Sequence, residues 1–421
     1  MGFEPSARAQ DLIGRVEEFI RTEIDPVEAE IHAATRAAAD PWQPQPVFKQ
    51  LQAKARAQGL WNLFLPPAEP GNEQYGEGLP NLDYAPIAEL TGRSFIAPYI
   101  FNCNAPDTGN MEVLLRYGND EQKKQWLQPL LDGTIRSAFC MTEPGVASSD
   151  ATNMAATAIV EGDEVVLNGR KWWSTGVGNP ECELLIFMGL TDPDAHRYSR
   201  HTMVLVPRNH PGVKVERLLP AMGRYDEPFG HGEVSFTDVR LPASNILVGP
   251  GRAVEIAQGR LGPGRVHHCM RLIGLAEKAL ELALHRGTGR HAFGKPLVNL
   301  GGNRERIADA RIAINQSRLL VLQTAYLLDT VGLAGALSEV SQIKVAVPRM
   351  AQDVIDMAMQ LHGGGGLSDD TPLAAMWTSA RALRLADGPD EVHRGVVARI
   401  ELAGYLAARK EEEVKEEEVR A

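Results

Sequence analysis

The spacing of apolar residues changes twice along this chain, and those two changes constrain its fold more than any single motif. Leu12, Ile13, Val16, Phe19, Ile20 and Ile24 recur at intervals of three and four, the pattern of a helix that buries one face. Further helical stretches run to about Arg136, interrupted by a loop from Leu65 to Asn81 that carries Pro66, Pro67, Pro70, Gly71, Gly76, Gly78 and Pro80. Such a loop is a spacer or the rim of a pocket. After Ala138 the texture becomes short apolar runs, Leu184–Met188, Met203–Val206 and Val234–Phe236, separated by Asp, Pro, Gly and Asn clusters. That is the grammar of strands. Near Gly249 the helical period returns, with Leu272, Ile273, Ala276, Ala279, Leu280 and Ala283 on one side. A second stretch follows from Arg306 to about Gly335, and a third from Lys344 to Leu361 with Val347, Met350, Val354, Met357 and Leu361 at helical spacing. Blocks of helices, strands and helices, without a repeat, predict an α+β chain rather than alternating βαβ units. The expected domains are residues 1–137 (helical), 138–248 (β) and 249–421 (helical).

Length and composition narrow the function. A chain of 421 residues holds two or three domains, and 44% hydrophobic with 23% charged residues excludes a disordered one. Net charge is -11, with six Glu against two Lys between Lys410 and Glu418. Nothing concentrates Lys and Arg, so no nucleic-acid partner is expected. Cys103, Cys140, Cys182 and Cys269 form no C-x-x-C pair, which argues against disulfides or structural zinc and for a reducing compartment. The N-terminus has no basic or apolar signal segment, and the most apolar window, Leu319 to Leu337, includes Gln323 and Asp329. It reads as a buried bundle helix, not a membrane span, and the expected location is cytoplasmic.

Two segments concentrate chemistry. Ala138 to Asp150, AFCMTEPGVASSD, opens the strand region with hydroxyls and small residues. Gly169 to Thr175, GRKWWST, sets two tryptophans beside two hydroxyls on an expected strand, so that alternation would send the rings to opposite faces, one to the core and one free to wall a planar cofactor.

These segments and three later ones, in this order, resemble the acyl-CoA dehydrogenase family. Thr142-Glu-Pro resembles its first signature, Lys171–Thr175 its flavin-stacking strand, Arg290–Leu297 (RHAFGKPL) its arginine motif, and Gln360–Gly364 with Arg381–Arg399, around Ala386–His393 (ADGPDEVH), its closing signature. The resemblance implies an N-terminal helical domain, a central β-barrel or sandwich and a C-terminal four-helix bundle. The implied reaction is FAD-dependent oxidation of an acyl-CoA thioester to the trans-2-enoyl-CoA, as in β-oxidation, with electron-transfer flavoprotein as acceptor.

Carried over by position, Phe139, Met141 and Thr142 hold the flavin, Trp173 covers one face and Thr175 bonds near its reactive edge. Ser149 would lie between flavin and substrate. The turn Gly145–Ser149 is one residue longer than usual, which leaves Ser148 and Ser149 as alternatives. Arg290 and Phe293 would reach the FAD of a neighbouring subunit, and Gln360, Gly363, Gly364 and Glu391 would also contact cofactor. Sites shared in this way imply a homodimer or homotetramer. Taken alone, the Gly363–Gly366 run reads as a helix-ending turn.

The α-proton needs a carboxylate base in a site free of water. The family usually supplies glutamate, and the closing signature puts Asp387 at that position; the alternative place, on the helix bearing Arg265, holds Gly264. Aspartate is one methylene shorter, roughly 1.5 Å of reach. Together, Asp387, the Ala147–Asp150 insertion and Arg265-Val-His-His268 resemble the subgroup of acyl-CoA dehydrogenase family members 10 and 11, associated with longer, branched or hydroxylated chains. Arg265, His267 and Arg394 would then contact substrate. The adjacent pair His267–His268 is not read as a metal site, because neighbours on a helix diverge by about 100°. Two alternatives stay open: a flavin oxidase of the acyl-CoA oxidase or nitroalkane oxidase type, the latter pairing aspartate with an arginine seven positions on as Arg394 follows Asp387, and a flavin-binding scaffold without turnover.

Overall fold

The computed structural model describes residues 2–67, 72–75 and 78–420; Pro70, Gly71 and Gly76 of the expected loop lie outside them. Two compact units emerge, Glu4–Gly264 and Arg265–Ala421 together with Met1–Phe3.

The first unit begins with helices α1 (Ala7–Phe19), α2 (Asp25–Ala37), α3 (Pro46–Ala57), α4 (Asn81–Thr91) and α5 (Asp107–Tyr117). Helix α1 starts where the Ser6 hydroxyl accepts from the Ala9 N–H at 3.2 Å, satisfying one of the first turn's unpaired donors. Asp83 of α4 fixes that cap by accepting from the Ser6 N–H at 2.8 Å and hydroxyl at 2.7 Å. Leu12, Val16, Phe19, Ile20 and Ile24 are buried, as their spacing predicts.

Seven strands follow: β1 (Arg136–Cys140), β2 (Thr157–Glu161), β3 (Glu164–Thr175), β4 (Cys182–Leu190), β5 (His201–Pro207), β6 (Val213–Leu218) and β7 (His231–Pro242). They form one sheet in the order β1-β4-β2-β3-β7-β6, with β5 also on β4. Residues of β1, β2, β3, β4, β5 and β7 share a single core in which the Phe187 and Phe236 rings lie 4.6 Å apart. The β layer is thus a single sheet packed on one core, with β1 and β6 at the ends of its strand order. Each apolar run of the sequence is the buried centre of a longer strand. At Gly169 a side chain is impossible without rearrangement, because φ is +143° and a Cβ would lie 2.4 Å from that of Ala156.

A long helix, α6 (Ala253–Gly289), runs on from the first unit into the second, which continues with a two-strand hairpin, β8 (His291–Ala292) and β9 (Lys295–Pro296), then α7 (Asn303–Gly335), α8 (Leu337–His362), α9 (Leu373–Ala382) and α10 (Asp390–Arg420). Four of these five helices exceed 25 residues. Helix α8 begins before the expected Lys344, since Leu337–Ile343 continues the same buried face through Val340 and Ile343. The acidic tail continues α10, and its described side chains, up to Lys415, are exposed. Among the described residues no helix is long and apolar enough to cross a membrane. All four cysteines are buried and unpaired with one another.

Candidate active site

In the first unit, a buried ion pair fastens the Thr142 segment to β3. Glu143 accepts from the Ala155 and Ala156 N–H groups at 2.9 and 3.0 Å, and from Lys171 Nζ at 2.6 Å. Lys171, fully buried, also donates to the Met141 carbonyl at 3.0 Å. Burial pushes the Lys171 ammonium down from its ordinary value, and Glu143 opposes that shift. Inside the longer turn, the Ser148 Oγ accepts from the Glu143 N–H at 2.9 Å and donates to the Glu143 carbonyl at 3.3 Å. Ser148 therefore closes the turn, whereas Ser149 is exposed. Thr142 is exposed, Met141 half-buried, and the half-buried Phe139 ring is covered by the Arg260 guanidinium at 4.2 Å.

The two tryptophans depart from simple alternation. Between Lys171 and Ser174 strand β3 holds one residue more than its partner β7, and Trp173 absorbs it with φ +52°. A bulge re-aims the side chain and breaks the alternation of faces. The rings of Trp172 and Trp173 consequently meet at 6.3 Å, neither is in the core, and Trp173 is 40% exposed. A positive φ on a bulky residue is costly, and such strain clusters at functional sites. Beside Trp173, His231 lies 5.6 Å away ring to ring and pairs its Nδ1 with Thr175 Oγ1 at 3.0 Å. The enclosed Trp172 Nε1 has no hydrogen-bond partner. An exposed ring, hydroxyls and an unsatisfied donor suit a planar heterocycle rich in acceptors, as a flavin is.

In the second unit, Arg290 is exposed and Phe293 tips the β8–β9 hairpin, 94% exposed. Its φ of +49° and the +74° of Gly294 make the turn twist with the strands. Gln360 is exposed at the end of α8, and Gly363, at φ +62°, stops that helix, followed by exposed Gly364.

Asp387 occupies the connection between α9 and α10 with φ +56°, followed by Gly388 at +104°. Two side chains pin its backbone: Arg265 Nε donates to the Asp387 carbonyl at 3.0 Å and His393 Nε2 donates at 3.2 Å. Its carboxylate, 17% exposed, has Oδ2 3.5 Å from His268 Nε2. Arg265 is thus brought to Asp387, while His267, expected at the pocket, is 2% exposed and turned into the protein because it lies about 100° around the helix from His268. Arg394 takes Glu391 at 3.8 Å, one turn before it, and both are exposed. The arginine seven positions on is therefore not the partner of Asp387. No metal cluster occurs among the described residues.

Burial disfavours the charged forms of His267 and His393. Burial pushes His267 down to about 3 and His393 to about 4, with Arg271 lowering the first and Arg265 the second. The unfolded chain binds these protons below pH about 6.5 and the folded chain does not, so stability declines as pH falls from there toward 4. The expected slope is up to about 1.4 kcal/mol per pH unit per imidazole. Denaturant midpoints between pH 7 and 5 check this; His267→Gln should decline less steeply than the parent protein.

Four residues that motif reading passed over stand out: His268 and His393 at Asp387, His231 at Trp173, and Glu143 as partner of Lys171. The spacing of Arg265, His268 and Arg271 carried a signal, since residues three apart share a helix face.

Comparison with known proteins follows the same order of domains. The acyl-CoA dehydrogenase N-terminal, middle and C-terminal domain models match residues 6–134, 138–239 and 251–402. Acyl-CoA dehydrogenase family member 10 of Mus musculus is 53% identical over 95% of this chain and 37% of its own length. FadE2 of Mycobacterium tuberculosis, described as a probable acyl-CoA dehydrogenase, is 49% identical over 96% of this chain and 97% of its own. A solved Mycobacterium abscessus structure assigned to the acyl-CoA dehydrogenases is 70% identical, covers 96% of this chain and 100% of its own, and superposes with a TM-score of 0.93. The chain spans about half or less of the length of the family member 10 and 11 relatives. With three domain models matched in order and a relative nearly half identical over almost all of its length, the chain belongs to the acyl-CoA dehydrogenase family.

Proposed function

We propose that the chain binds FAD and dehydrogenates an acyl-CoA between Cα and Cβ, with Asp387 as the base. The observation that carries this reading is the carboxylate of Asp387, mostly shielded from water at the family's closing motif and set on a backbone that Arg265 and His393 hold in a left-handed conformation. Rigid placement matters because a general base acts only within hydrogen-bond reach of the proton it removes. Asp387 takes the α-proton, and the electron pair of that C–H bond becomes the new π bond. Bound FAD supplies the acceptor for the β-hydride. Trp173, Thr142, Thr175 and Phe139 would hold the ring system, Ser149 rather than Ser148 would serve the flavin–substrate side, and Arg265 with Arg394 would contact substrate. Arg290, Phe293, Gln360, Gly363, Gly364 and Glu391 serve FAD of a homo-oligomer; a phenylalanine 94% exposed on a strained turn suits insertion into a partner. Electron-transfer flavoprotein would be the acceptor of the electrons removed from the substrate.

Anaerobic titration of the yellow holoenzyme with long, branched and hydroxylated acyl-CoAs, and separately with nitroalkanes, tests this. Bleaching by an acyl-CoA is expected. Bleaching by nitroalkanes alone would favour the oxidase, and inert flavin the scaffold.

A further inference from the structure

We infer that His268 is a positioning residue for Asp387, a neutral imidazole whose Nε2–H holds the carboxylate toward the reacting carbon. This deepens the proposed function and rests on Asp387 being the base. The tautomer follows from chemistry on the other side of the ring. Arg271, one turn along the same helix, places Nη2 3.2 Å from His268 Nδ1. A guanidinium only donates, so Nδ1 must accept, and in the neutral ring the proton then sits on Nε2. Nε2 is the atom 3.5 Å from Asp387 Oδ2. A second proton, on Nδ1, would be driven against the arginine, and Arg265, Lys344 and His393 add donors around the same connection. His268 thus donates to the carboxylate without competing for the substrate proton.

An aspartate needs such a donor more than a glutamate does. With one methylene fewer, it cannot recover a misplaced carboxylate by bending its own chain, so orientation must come from outside. Backbone contacts from Arg265 and His393 fix where Asp387 starts; His268, from α6, constrains where its carboxylate ends. The 3.5 Å separation is long for a hydrogen bond, as contacts around a base often are before substrate closes the site.

The test uses FAD-loaded protein and two readouts. One is bleaching at saturating concentration of whichever acyl-CoA in the panel reduces the flavin fastest. The other is α-proton exchange in D2O of the 3-thia analogue of the same chain, which can lose an α-proton but not a β-hydride. In His268→Gln the side-chain amide nitrogen sits near the place of Nε2; in His268→Asn it sits near Nδ1 and falls short. His268→Asn should slow both exchange and bleaching by about 10–100-fold, with the analogue's Kd unchanged within about twofold and a larger α-deuterium isotope effect on bleaching. His268→Gln should restore most of the rate. Parent-like exchange in His268→Asn, or equal losses in both variants, would overturn the proposal. Asp387→Asn separates the two levels: parent-like exchange there would sink the base assignment and the role of His268 with it, whereas lost exchange there beside normal exchange in His268→Asn would sink only the latter.

Discussion

Asp387→Asn is expected to keep bound yellow FAD and to lose substrate bleaching by about 1,000-fold or more, the scale at which general-base catalysis operates. Asparagine has nearly the same shape, and two contacts that hold position 387 go to its backbone carbonyl, from Arg265 Nε and His393 Nε2. The fold around the connection therefore survives the change while the proton acceptor disappears. Anaerobic rapid mixing with the best acyl-CoA measures the loss directly. Asp387→Glu is the informative companion. Its carboxylate extends roughly 1.5 Å further, and displacement on that scale costs on the order of 100-fold when the site has been built around the shorter side chain. Normal bleaching by Asp387→Asn would remove Asp387 from the mechanism; faster bleaching by Asp387→Glu than by the parent would mean that the pocket never adjusted to aspartate.

The helix, strand, helix order was legible because periodicity reports burial, and burial is what the domains are built to achieve. Leu12 to Ile24 and Leu272 to Ala283 lie inside where their spacing puts them, and the motif segments fall on the elements expected of them. What escaped the sequence depended on pairing between distant segments. The two tryptophans look like alternating strand residues until β3 is set against β7, and only then does the extra residue between Lys171 and Ser174 reveal a bulge. Ser148 and Ser149 are chemically identical neighbours, separated only by the backbone of Glu143 that one of them binds. His267 and His268 differ by one step around a helix whose orientation the local sequence does not encode, so which of them faces Asp387 was not legible. Arg394 sits at the right sequence interval for an Asp387 partner, yet Glu391 is one helical turn away and takes it. In each case the information missing from the sequence was the direction of a side chain.

Lys171→Met is expected to destabilise the protein by about 3–5 kcal/mol and to loosen FAD, because it leaves a buried carboxylate without its cation. Glu143 and Lys171 are 5% and 0% exposed, and their 2.6 Å contact is far from water. Two backbone N–H groups on Glu143 remain in the variant, which limits the loss but does not supply a countercharge. The consequence reaches the site through geometry. Glu143 follows Thr142 directly, and Lys171 stands two residues before Trp173, so the pair ties the turn that presents Thr142 and Ser149 to the strand that carries the bulged ring. Denaturant midpoints of the holoenzyme measure the stability term, and flavin release at a fixed protein concentration measures the second. Glu143→Gln together with Lys171→Met removes both charges but keeps an acceptor for only one of the Ala155 and Ala156 N–H groups, which donate to different carboxylate oxygens, so it should recover part of the lost stability. If Lys171→Met alone cost under about 1 kcal/mol, the range of exposed pairs, the buried pair would not be what fastens this turn to the sheet.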